Sequence, residues 1–286
     1  MDQVLVGVDD TASALDAVRW GAREAARRAA PLRLVHAYWT PGRDFPELEL
    51  AEEDVRAEMR RAGAELLDRA NRTVTESDRT VAVETELRAG DPRVVLIEEC
   101  RRAALAVLGA RRLGPVGGLL VGSIGLALAV HGTCPLVVVR GPAREHGPVL
   151  VGADGSASAA LGFAFAEAAL ARAPLTVLRT WDGITADATA EHEHARQTLA
   201  EWLSPWRQRF PEVAVDPVVV RGRAGTVLLE YGEHARLIVV GSRGRGEVTG
   251  LLFGSTSRRM SRRAPCPVAI VRSELTVPPP SRRSPG

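Results

Sequence analysis

The chain has 286 residues, 45% of them hydrophobic and 4% aromatic, with 37 basic against 35 acidic side chains and a net charge of +2. Every basic residue is an arginine, which excludes a Walker-A lysine, a Schiff-base lysine and a pyridoxal-phosphate anchor. The balanced charge excludes bulk attraction to nucleic acid, and no apolar run approaches the length that spans a membrane.

Taken in chain order, the first half alternates strands and helices. Met1 to Val4 leads directly into a strand at Val4–Val8, so no signal peptide is expected. The helix expected over Ser13–Ala29 carries Leu15, Val18, Ala22, Ala25 and Ala29 at three- and four-residue steps, one face of a helix. A strand at Leu32–Ala37 follows, then a helix over Glu52–Thr73 with Val55, Met59, Ala62 and Leu66 on one face. Val81–Leu87 alternates as a strand, and Pro92–Arg101 opens a third helix after Gly90. Leu105–Leu108, Ser123–His131 and Leu136–Val139 read as strand, helix and strand. Continuous apolar strands separated by helices argue for a parallel sheet covered on both faces. Cys100, Cys134 and Cys266 form no Cys-x-x-Cys pair and read as core residues of a cytoplasmic protein.

The second half repeats the first. Val149 to Ser158 mirrors Val4 to Ser13 at a shift of 145 residues. Gly222, Gly241 and Cys266-Pro267 mirror Gly90, Gly109 and Cys134-Pro135 at a shift of 132, so the length difference lies upstream, chiefly in the longer Trp39–Asp78 region. Such a repeat implies a duplicated domain. The expected organisation is a first domain over 1–140, a linker over 141–147, a second domain over 148–272 and a disordered tail over 273–286.

The strand Leu237–Val240 opens into Gly241, Gly244 and then Gly254-Ser255, after which a helix runs towards Arg263. A strand leading through glycines to a helix N-terminus is suited to phosphate, because backbone N–H groups approach the anion and the helix dipole favours negative charge. In the first copy the same spacing reads Gly109, Arg112, Gly122 and Ser123, with Arg112 where the second copy has Gly244. Read without a ligand, the second set is a tight turn with Ser255 as an N-cap.

The Gly-x2-Gly-x9-Gly-Ser pattern, the Val-Gly-x-Asp-x-Ser/Thr-x-Ser opening and the Cys-Pro before a final strand together resemble the universal stress protein family. The tandem arrangement is similar to its two-domain members. The resemblance implies two tandem copies of an open, mainly parallel five-stranded α/β sheet with helices on both faces, of the adenine-nucleotide α-hydrolase type. It implies an ATP site in which Asp154 meets the ribose or adenosine end and the backbone of Thr180, just past its strand, meets the adenine edge. Gly241, Gly244, Gly254 and Ser255 would cradle the phosphates, with Thr256 as a further hydroxyl and Mg²⁺ arriving with the ATP. Arg243 and Arg245 are available to add charge. Asp9, Ala37, Gly109, Gly122 and Ser123 keep the same positions in the first copy. There Arg112 either pairs with phosphate, fills its space, or stands at a backbone angle that suits glycine, with Gly114 two residues on to shift the turn. The resemblance also implies an intramolecular pseudo-dimer through the two apolar final strands, Leu136–Val139 and Val268–Val271, with a homodimer and a protein partner open.

Other constellations carry less. His192 and His194 are two residues apart, which sends them to different sides of a helix, and Asp9-Asp10 is matched by Asp154-Gly155, against a two-carboxylate metal site. Arg258-Arg259 and Arg262-Arg263 read as a solvated basic helix face. No Ser-His-Asp set, zinc motif or cysteine nucleophile is visible, so the expected function is an ATP-binding stress-response regulator without dedicated catalysis. Adenylating or ATP-hydrolysing enzymes of the related α-hydrolase type, and a nucleotide-free scaffold, are the alternatives.

Overall fold

The computed structural model describes residues 3–38, 49–112, 119–120, 122–141, 144–155, 158–181, 188–242 and 254–275. It divides into two units, Met1–Arg112 with Val121–Val139 and Leu113–Leu120 with Arg140–Gly286.

The first unit runs β1 (Gln3–Gly7), α1 (Ala12–Arg28), β2 (Leu32–Tyr38), α2 (Glu49–Ser77), β3 (Val83–Ala89), α3 (Pro92–Cys100), β4 (Ala103–Gly109), α4 (Ser123–His131) and β5 (Leu136–Val139). Its five strands are all parallel in the order β5-β4-β1-β2-β3. Val4, Val6, Leu32, Leu34, Leu105 and Val107 are fully buried at the sheet's centre. Helix α1 packs with α2, and α3 packs with α4, the two-layer covering that a parallel sheet with apolar faces requires.

Local chemistry explains the boundaries. Thr11 caps α1 by accepting from the Ala14 N–H at 3.3 Å. Asp91 caps α3, accepting from the Arg93 N–H at 2.8 Å, and Pro92 occupies the first turn, where a missing N–H costs nothing. Helix α1 ends on Ala29 with φ 48°, a left-handed residue whose N–H returns to Ala25 and Ala26. Gly90 takes φ 138° as β3 ends, and its N–H bonds the Tyr38 carbonyl at 2.9 Å; only glycine adopts that angle without strain.

The second unit repeats this plan as β6 (Val149–Gly152), α5 (Ser158–Ala171), β7 (Leu175–Trp181), α6 (Ala188–Arg209), β8 (Val215–Arg221), α7 (Ala224–Gly232), β9 (Leu237–Gly241), α8 (Ser255–Arg263) and β10 (Val268–Val271). Its parallel order is β8-β7-β6-β9-β10, so the duplication read from the sequence is a duplication of topology. Pro217 is tolerated because β8 is the edge of this series. The segment read as a linker packs on the second unit: a Cβ on Gly141 would stand 2.1 Å from the Pro265 carbonyl oxygen. Arg236 Nη1 donates to the Glu145 carbonyl at 2.8 Å. The tail beyond Leu275 lies outside the described residues. No helix among the described residues is long and apolar enough to cross a membrane.

Candidate functional site

In each unit the strand order reverses direction between the first strand and the fourth. That reversal opens a crevice beyond the carboxyl ends of the strands, where open α/β sheets take ligands. In the second unit β6 and β9 are direct neighbours, with Val151 beside Val239. The residue after β6, Ala153, still donates to the Leu178 carbonyl at 2.8 Å. Asp154, half-buried, therefore emerges at the rim of the crevice, and Gly155 turns the chain away with φ 84°.

Gly241 closes β9 on the other side of the crevice, and Ser242 N–H holds the Val271 carbonyl at 2.8 Å. Gly244, Arg243 and Arg245 lie outside the described residues. The chain returns at Gly254, whose N–H donates to the Ser242 carbonyl at 2.9 Å, so the loop begins and ends at one point. Gly254, not Ser255, is the N-cap of α8, and it has no side chain to cap with. The N–H groups of Ser255, Thr256 and Ser257 have no carbonyl within the helix, whereas Arg258 N–H already bonds the Gly254 carbonyl at 3.0 Å. Ser255 is exposed and Thr256 half-buried.

What fixes this helix end was not read from the sequence. Ser257, 1% exposed, donates its hydroxyl to the Gly241 carbonyl at 2.5 Å, and Ser261 donates to the Ser257 carbonyl at 2.7 Å. The buried Ser257 hydroxyl thus pins the first turn of α8 to the end of β9, while that of Ser261 bonds one turn back within the helix. At the other end Arg140, 6% exposed, donates to the carbonyls of Met260, Ser261 and Arg262 at 3.0, 2.7 and 2.8 Å. Burial pulls this guanidinium below its usual pKa, and three carbonyl acceptors at a helix C-terminus offset part of the desolvation. Thr180 is not past its strand but inside it, beside Val220, and β7 ends one residue later at Trp181. The Trp181 indole lies 6.1 Å from the His192 ring, and its buried Nε1–H has no partner among the described residues. His194 is exposed, so the two histidines do separate.

The first unit places its counterparts in the same way. Asp9 follows β1, Ala37 sits in β2 beside Arg88, and Gly109 ends β4 beside Val139. Gly122 caps α4 without a side-chain bond, and Ser123 is its first residue. The Asp9 carboxylate is engaged by Thr11, from N at 3.1 Å and Oγ1 at 2.5 Å, and Thr11 Oγ1 also lies 2.9 Å from Ser13 Oγ. A Cβ on Gly109 would meet the Ser13 carbonyl oxygen at 2.3 Å, so this glycine lets the start of α1 rest on the strand end. Arg112 stands in the short extended segment Arg111–Arg112. The extended backbone of that segment is one that any residue adopts. Gly114 lies outside the described residues.

Chemically, the second crevice offers hydrogen-bond donors to an anion on one wall and a carboxylate acceptor on the other. A nucleotide needs donors for its phosphates and an acceptor for its ribose hydroxyls, and this set fits both. Among the described residues no three His, Cys, Asp or Glu side chains gather to hold a metal ion.

These features define a doubly wound, parallel α/β domain in tandem, with an anion-receptive helix end at each strand switch. The profile of the Universal stress protein family matches residues 1–140 and 146–272, and the chain belongs to that family. It is 35% identical over 297 residues to universal stress protein Rv2623 of Mycobacterium tuberculosis (strain ATCC 25618 / H37Rv), covering 96% of this chain and 97% of that protein. It is also 35% identical over 288 residues to a universal stress protein of Mycolicibacterium smegmatis, covering 94% and 96%. The crystal structure of a universal stress protein from Archaeoglobus fulgidus DSM 4304 superposes with a TM-score of 0.72 at 18% identity, over 95% of this chain and 98% of that one.

Proposed function

We propose that this universal stress protein binds ATP in the crevice of its second unit and acts in the cytoplasm as a nucleotide-dependent regulator without dedicated catalysis. The observation that carries the reading is the uncapped start of α8, pinned by Ser257 to the end of β9, which neighbours the strand that Asp154 follows. Ser255 and Thr256 receive the phosphates together with Gly241, Gly244 and Gly254, Asp154 accepts from the ribose, and Thr180 borders the base. Mg²⁺ accompanies the phosphates. Three buried, unpaired thiols suit a reducing compartment.

The test is the adenine nucleotide released from freshly purified protein on denaturation, with Gly244→Arg alongside. About one nucleotide per chain in the wild type, lost in the variant, supports the reading and leaves the first unit empty; about two, falling to one, adds a site beside Arg112. None, even after incubation with Mg-ATP, refutes ATP binding and leaves a scaffold.

A further inference from the structure

The two copies of the last helix have diverged in a way that nucleotide binding does not require. Helix α4 presents Leu126, Ala127, Val130 and His131 where α8 presents Arg258, Arg259, Arg262 and Arg263. All four arginines are exposed, and none has a carboxylate partner among the described residues. They lie opposite the buried Ser257, Met260 and Ser261. The change extends to the neighbouring helix. In the first unit Asp91 and Arg93, at the start of α3, satisfy each other. The corresponding residues of α7 are Arg223, exposed and also without an acidic partner among those described, and Gly225. Gly225 makes room for the new arginine: a Cβ there would come within 2.8 Å of Arg259 Cδ.

This face is an unfavourable one to keep bare. Arg258 and Arg262, and Arg259 and Arg263, are like charges one turn apart. The C-terminal carbonyls that would ease them are already taken by the Arg140 guanidinium. An anion of repeating charge relieves all of these repulsions together.

We propose that the exposed arginine face of α8, with Arg223, is a docking track for a linear polyphosphate chain. Arginine pairs with phosphate through two N–H groups at once, and successive arginines on one helix face are about 6 Å apart along the axis. Helix α8 carries no aromatic residue on which a nucleic-acid base could stack. Its exposed face carries no large apolar residue to enter a membrane. The track stands independently of the ATP reading, since none of its arginines belongs to the proposed nucleotide site.

The test is binding of inorganic polyphosphate to the full chain across a salt series. It compares wild type with Arg258→Gln/Arg262→Gln and with the control Arg60→Gln/Arg69→Gln, which removes equal charge from the exposed face of α2. Expected is a salt slope of roughly −3 for the wild type, falling by about 0.7 for each arginine removed from α8. The α8 variant should bind polyphosphate at least ~10-fold more weakly while the control stays at wild-type affinity. ATP content should be unchanged in both, so a protein that holds no ATP can still pass this test. Equal weakening by the control, or tighter binding of single-stranded DNA or polyglutamate of matched charge, overturns the proposal. No measurable polyphosphate binding at low salt overturns it as well.

Discussion

Ser257→Ala is the sharpest probe of how the second crevice is held. The substitution removes one hydroxyl from a side chain that is 1% exposed and bonded at 2.5 Å to the Gly241 carbonyl. A buried hydrogen bond lost with its acceptor left behind costs about 1–2 kcal/mol. A unit of this size loses about 3–5 °C of melting temperature per kcal/mol, so the second unit should melt roughly 3–10 °C lower. Because the bond ties the start of α8 to β9, ATP affinity should fall about 10-fold as the donors drift from the crevice. Ser255→Ala separates the two effects. It is an exposed change that should move stability by no more than about 0.5 kcal/mol, while the loss of a hydroxyl bond to a charged phosphate weakens ATP about 10-fold or more. The assay is thermal denaturation with and without Mg-ATP, together with calorimetric titration. If Ser257→Ala melts within about 1 °C of wild type, the bond does not anchor the helix and the reasoning fails. If Ser255→Ala binds ATP as well as wild type, the phosphates do not sit at this helix end.

Arg172, the left-handed end of α5 at φ 48°, should gain about 0.5–1 kcal/mol on substitution by glycine; a less stable variant in a urea titration would contradict this. Gly109→Ala should destabilise the first unit by at least about 1–3 kcal/mol, because its Cβ would meet backbone, the Ser13 carbonyl oxygen at 2.3 Å, which cannot swing away as a side chain can. The same urea titration measures it, and a neutral result would mean α1 moves freely. The Asp91 carboxyl is held at about 2, below its ordinary 3.8, by the Arg93 side chain and then the Arg93 N–H. A depressed carboxylate pKa lends stability above about pH 4 that is lost as pH falls towards 2, so Asp91→Ala should flatten that part of the stability–pH curve. An unaltered curve would show that the pair contributes nothing.

Much of this was written plainly in the sequence. Helix α4 and strand β5 have the limits that their apolar pattern and Gly122-Ser123 indicate, and the equal spacing of Gly109 and Gly241 announced the duplicated plan. Strand order is not carried by periodicity, and it is the pairing of Val151 with Val239 that makes β6 and β9 neighbours. The anchors of the site were hidden. Ser257 and Gly241 are sixteen residues apart across a loop, and nothing in the composition of α8 marks two of its three serines as buried. Arg140 looked like the last residue of a domain, yet it serves the carbonyls of a helix some 120 residues later. Contacts of that kind depend on folding the chain back, which periodicity does not encode.

The inward side of α8 is composed of Ser257, Met260 and Ser261, so the helix is fastened by one hydroxyl, one guanidinium and a single large apolar side chain. Of its own side chains, releasing it would expose one large apolar group, Met260. Such an opening has a small heat-capacity change and a weak dependence on denaturant. Amide exchange along α8 should therefore proceed through a local event that urea scarcely accelerates, while the exchange of β6 and β9 follows global unfolding. That wall of the crevice can then come loose, and re-form, without disturbing the sheet on which it stands.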